Sequence, residues 1–172
     1  MQSETGRSDF TSLTSAAEVG LAKELNDKNA LALALQWAAV LAIYERNPAE
    51  VDRFASDLIE LSSRYDFLHF LAVGTIFRGW ARCASGDTAE GIRWIEQGIR
   101  DYRAAGSVLG LAFHLARKAE ALHLADRTSE ALEAINEAEA LAERFERRSV
   151  FSELHRLRGV FLAAMGAEET QI

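Results

Sequence analysis

A chain of 172 residues, 49% apolar and 26% charged, can bury one domain-sized core and is too apolar for a disordered segment. Its net charge of −7 makes nucleic-acid backbone a poor partner, because neutralising phosphates takes clustered Lys and Arg. A single cysteine leaves no internal disulfide, and no run of about 18 uncharged apolar residues marks a membrane span, so a cytoplasmic setting is expected.

The opening MQSETGRSDFTS is polar and lacks the basic start and apolar centre of a secretory signal, so residues 1–9 read as a flexible leader. Apolar residues spaced i, i+3, i+4 and i+7 then predict helices over 10–25, 29–46, 48–65, 67–85, 88–105, 107–125, 128–145 and 147–165, with a tail at 167–172. The one proline, Pro48, falls at a predicted helix start, where its missing N–H costs nothing. Thr88 and Thr128, each with an acid two residues on, suit first turns. Connections of two to four residues make neighbouring helices antiparallel.

Shifting the chain against itself by 40 aligns this pattern. Glu50, Glu90 and Glu130 coincide, and Arg46, Gly86, Asp126 and Gly166 share a column where a helix must end or turn. Ala39, Gly79, Ala119 and Gly159 are all small, whereas Leu31, Leu71, Leu111 and Phe151 are all large and apolar. Agreement in size over three shifts identifies a repeat, with units of about 7–46, 47–86, 87–126 and 127–166 over a domain of 10–166. The expected fold is all-α, a right-handed α-solenoid of about eight antiparallel helices whose hairpins contact mainly their neighbours.

In GDTAEGIRWIEQG a Gly-Asp turn precedes Glu90, small Gly91, apolar Ile95 and small Gly98, with small Gly79 seven residues before Gly86. That order resembles the tetratricopeptide repeat, in a variant of period 40 rather than 34. Residues 70–122 and the stretch SELHRLRGVFLAAMGAEE (152–169) resemble the C-terminal repeat arrays of bacterial multidomain signalling proteins, where a nucleotide cyclase or DNA-binding domain and an ATPase module precede the repeats. The resemblance implies a scaffold or sensor region; this chain carries no cyclase or ATPase segment.

In that reading the first helices of the hairpins line a concave face. Counting turns from the Gly-Asp corner aims Gln36, Tyr44, Val73, Trp80, Glu120, His123, Glu153 and Arg156 into it, with Val40, Ile43, Ile76 and Cys83. Tyr44 and Trp80 would be typical peptide anchors if the groove is open, and core if long helices close it. The last predicted helix has no second helix after it, so Phe151, Leu154, Leu157 and Phe161 are expected to form an apolar end face covered by another copy or a longer chain.

Chemistry-bearing groups are sparse. Neither Gly74–Gly79 nor Gly106–Gly110 follows a strand or precedes Lys-Ser/Thr, so neither reads as a phosphate cradle. Glu120-x-x-His123 has di-iron spacing but no second copy, and His69, His114 and His155 fall on separate hairpins. Cys83 sits near a helix C-terminus, where the macrodipole opposes a thiolate. The mixed run Glu143–Arg148 reads as a solvated turn. The sequence therefore predicts a non-catalytic module without cofactor or metal. Its expected partner is a protein segment or neighbouring domain, with a small-molecule sensor as the alternative.

Overall fold

The computed structural model describes residues 17–22, 24 and 27–169. They are all-helical, with no strand among the described residues. Residues 17–22 form α1, followed by α2 (Lys28–Tyr44), α3 (Pro48–Tyr65), α4 (Leu68–Ala84), α5 (Thr88–Ala104), α6 (Leu111–Leu124), α7 (Thr128–Arg144), a 3-10 turn (Arg148–Val150) and α8 (Phe151–Glu169). The predicted leader and the start of the first predicted helix lie outside the described residues.

One device ends each of the six helices from α2 to α7. Arg46, Asp66, Gly86, Gly106, Asp126 and Glu146, twenty residues apart, all hold a left-handed φ between 52° and 103°. The amide that follows each reaches back five residues, from Asn47 to Ala42, Phe67 to Ser62, Asp87 to Arg82, Ser107 to Tyr102, Arg127 to Leu122 and Arg147 to Ala142, at 2.8–3.1 Å. These bonds satisfy carbonyls that the helix end leaves without partners. The 40-residue period is thus two 20-residue helix-and-turn units. Gly166 departs from the expected break, because α8 runs through it to Glu169.

Helix starts are less uniform. Asp27 accepts from the amides of Asn29 and Ala30 (3.0 and 3.1 Å), Asn47 from Glu50 (3.2 Å) and Asp87 from Glu90 (3.3 Å), each capping its helix. Helix α6 begins four residues later than the periodicity predicts. Ser107–Gly110 instead form a loop, held where the Gly110 amide donates to the Tyr102 hydroxyl at 3.1 Å.

Consecutive helices pack against one another, and α2, α4, α6 and α8 also touch in sequence, α2 to α4, α4 to α6 and α6 to α8. Helices α4 and α5 cross closely because glycines face each other. A Cβ on Gly91 would stand 2.5 Å from the Gly79 carbonyl oxygen, and one on Gly79 would stand 2.7 Å from that of Gly91. Ala39 and Ala119 occupy the column of Gly79 and are fully buried; Gly159, its fourth member, is exposed, with nothing within 4 Å of the Cβ position. No described helix follows α8 to cover it.

The two glycines should therefore respond oppositely to one methyl group. Gly91→Ala is expected to cost about 1–3 kcal/mol through overpacking. Gly159→Ala is expected to gain up to about 1 kcal/mol from helix propensity. Chemical denaturation of both variants measures the difference.

Candidate functional site

A charged network spans α2, α4, α6 and α8 where the repeat pattern leads one to expect apolar side chains. Arg117 stands in the column of Trp37, Phe77 and Leu157, and Glu120 in that of Val40, Trp80 and Val160. Both are buried.

Glu120 is the node. Its Oε2 accepts from the Trp80 indole N–H at 2.7 Å and lies 3.3 Å from Arg117 Nη1. Its Oε1 pairs with Arg46 at the turn after α2, 74 residues away. Arg117 continues the chain of charges, donating from Nη2 to Glu153 Oε1 at 2.7 Å while its guanidinium lies 5.0 Å over the Phe113 ring. Arg156 closes the series with two bonds to Glu153, at 2.7 and 3.0 Å. The network joins α2, α4, α6 and α8.

Burial drives the Arg117 pKa below its usual value, opposed by the bond and charge of Glu153; a guanidinium remains charged even so. Burial would raise the Glu153 carboxyl, but the hydrogen bonds from Arg156 and Arg117 outweigh it and hold the pKa at about 2. Removing one partner of such a buried set leaves an uncompensated charge, typically worth several kcal/mol.

This packing fills much of the expected groove. Trp80 is 2% exposed, so it is core and not an open peptide anchor; Val73 is likewise buried. Tyr44 is 58% exposed, its ring 6.3 Å from that of Phe113 on α6. His123 stands apart, half-buried, bonded to Thr128 Oγ1 at 3.1 Å and 4.8 Å from the Phe161 ring. Gln36 is half-buried with its Oε1 lacking a partner. Tyr44, Trp80, Glu120, Glu153 and Arg156 thus come together, whereas Gln36 and His123 take no part in the network. Arg46, Arg117 and Phe113 belong to the cluster but escape the turn-counting reading. A lone charge in an apolar column was the available signal for Arg117.

Between these side chains a cleft of about 110 Å³ remains, lined by Ile43, Tyr44, Arg46, Arg117, Glu153 and Arg156. On another surface, a valley of about 520 Å³ runs along the hairpin turns by Pro48, Asp52, Arg78, Arg82 and Asp87. One of about 270 Å³ adjoins it at Arg78 and Trp94, where Arg78 and Arg82 lie 5.1 and 4.9 Å over the indole.

The apolar end face is corrected. Leu154, Leu157 and Phe161 are at most 2% exposed and Phe151 is half-buried, because α8 turns these residues onto α6 and α7. The exposed side of α8 carries Ser152, Arg156, Gly159 and Ala163, with Val160 and Leu162 as its large apolar residues at 43% and 52% exposure.

Catalytic groupings are weak. Burial, then the Asp87 charge, pushes the Cys83 thiol up to about 11, and it lies 3.7 Å from the Thr88 carbonyl oxygen. Ser107 Oγ meets His69 Nδ1 at 2.8 Å, but among the described residues no carboxylate is bonded to His69 to orient it as a base, so the pair ties the α5–α6 loop to α4. No three His, Cys, Asp or Glu side chains among the described residues cluster as metal ligands would. No described helix is long and apolar enough to cross a membrane. The run Glu143–Arg148 is the turn after α7, with Arg144 over the Phe145 ring.

No protein-family profile and no solved structure matches the chain. Over 168 residues, 98% of its length, it is 23% identical to an uncharacterized protein of Rhizobium meliloti (strain 1021). The chain spans 16% of that relative.

Two outcomes test this description. Leu157→Ala is expected to cost about 2–5 kcal/mol in unfolding, with no change in the sedimentation of the folded protein. Burial foremost, then the charges of His69 and Arg117, lowers the His114 pKa from 6.5 to about 3. The unfolded imidazole takes a proton that the folded one refuses, so stability falls as pH drops below 6.5, by up to about 1.4 kcal/mol per unit. Urea titrations at pH 6.5 and 4.5 should show a smaller loss for His114→Gln than for the parent.

Proposed function

We propose that this chain is a non-catalytic interaction module, a right-handed tetratricopeptide-like solenoid that docks a protein segment on the inner face of its first hairpin. The regular 20-residue turns and the contacts from α2 to α4, α4 to α6 and α6 to α8 support the stacked arrangement. One observation carries the docking reading. Helix α2 is apolar on nearly every face, yet Leu33, Trp37 and Tyr44 on it are 48%, 53% and 58% exposed. Their spacing of four and seven residues sets them along one stripe.

The columns of Leu33 and Trp37 one period later hold Val73 and Phe77, both buried, so those two positions favour cover, whereas the Tyr44 column holds exposed Ala84. Tyr44 also lines the charged cleft, which joins an apolar stripe to a rim of arginines. A segment with apolar side chains at helical spacing and an acidic group beside them fits that combination. The aromatic residues supply large contact area at low entropic cost. The resemblance to signalling arrays suggests a neighbouring domain of a longer regulatory protein as the source of the segment. A sensor that takes a drug-sized molecule in the groove is less well supported, since the cleft there, about 110 Å³, is well below the roughly 300–1,000 Å³ of such sites.

A photo-crosslinking amino acid in place of Trp37, in the cells that make the protein, is expected to yield a discrete protein adduct. The same amino acid in place of exposed Arg100 on α5 is expected to yield none. Equal labelling at both positions would contradict the docking reading.

A further inference from the structure

We propose that the cleft between α2, α6 and α8 is a binding site for one carboxylate group, with Arg117, Arg46 and Arg156 as its cationic walls. Three guanidiniums and two carboxylates, Glu120 and Glu153, make up the network around it, leaving one positive charge unmatched. Arg46 and Arg156 are half-exposed and water offsets part of that excess. Arg117 is 1% exposed, and its buried Nε–H has no partner although the side chain lines the cleft. An unsatisfied donor on a buried cation is costly, and an anion is the group that relieves it most.

Charge and size select the anion. A monoanion brings the set to neutrality, whereas a sulfate dianion overshoots and stands beside Glu153, which stays ionised. Guanidiniums match the planar, two-oxygen geometry of a carboxylate. About 110 Å³ is the space of three or four waters, at roughly 30 Å³ each, which holds a carboxylate with a short carbon stem. The Tyr44 hydroxyphenyl and Ile43 supply walls for that stem. The carboxylate can belong to a free small acid or to an acidic side chain of a docked segment. The site itself does not rest on the docking reading.

The Arg117 Nε–H signal, assigned by its loss in Arg117→Lys, reports on the cleft by NMR at constant ionic strength. Acetate and propionate probe the free-acid source; a blocked Leu-Glu-Leu peptide, against blocked Leu-Gln-Leu, probes the side-chain source. The expected result is a saturable shift with the carboxylates and none with sulfate or Leu-Gln-Leu. Binding to Leu-Glu-Leu at least tenfold tighter than to acetate assigns the site to a protein segment; equal or tighter acetate or propionate binding assigns it to a free acid. Arg156→Gln, at the exposed rim, is expected to weaken binding at least tenfold while the protein stays folded. No saturable shift with any carboxylate, an equal response to sulfate, or undiminished binding by folded Arg156→Gln overturns the proposal. Should Arg117→Lys fail to fold, the Arg156→Gln comparison, followed through the Trp80 indole N–H, decides alone.

Discussion

A left-handed residue recurs every twenty positions from 46 to 146, and the amide after each bonds to a carbonyl five residues back. This turn fixes where every helix from α2 to α7 stops, and hence the side from which the next begins. Glycine fills it twice; Arg46, Asp66, Asp126 and Glu146 adopt it despite a Cβ, at a cost of about 1–2 kcal/mol for a typical residue. The surrounding packing must supply that energy. Because the interval is constant, equivalent residues of successive hairpins meet equivalent neighbours, and small residues at Ala39, Gly79 and Ala119 recur on buried faces.

The charged side chains inside this regular frame are exceptions with one organisation. Glu120 receives Trp80, Arg46 and Arg117, and Arg117 hands on to Glu153 and Arg156. An apolar set of the same volume would hold the helices at least as well, since desolvating ion pairs offsets much of their attraction. What the charges add is direction. Arg46 crosses from the turn after α2 to α6, past the intervening α4, and meets at Glu120 the carboxylate that also holds the Trp80 indole. The cleft beside Tyr44 and the stripe along α2 stay open.

Much of the fold was legible because it is written as period and size. The spans of α2 to α5 and α7, the turns at 46, 86 and 126, and the start at Pro48 follow from apolar spacing and punctuation that act locally, whereas α8 starts at Phe151, after a 3-10 turn, and not at 147. The late start of α6 was not legible, because a tertiary bond from Tyr102 to Gly110 holds the loop against the local helical pattern. The run of α8 through Gly166 went unseen because glycine permits the turn without requiring it. The site was legible only in part. Turn counting found Tyr44, Trp80, Glu120, Glu153 and Arg156 but could not say that they touch. Arg117 escapes that count because a column of Trp37, Phe77 and Leu157 reads as core, which holds for Phe77 and Leu157 but not for half-exposed Trp37. The end face failed on rotation: Leu154, Leu157 and Phe161 look outward in a count of helices and inward once α8 settles onto α6 and α7.

The joining of α2 to α6 through this network is tested most directly by a double-mutant cycle on Arg46→Gln and Glu120→Gln, read in equilibrium unfolding. The account predicts a coupling of at least about 1 kcal/mol between residues 74 positions apart in the chain. Additivity within about 0.3–0.5 kcal/mol would mean that α2 and α6 are not joined through this pair, and would contradict it.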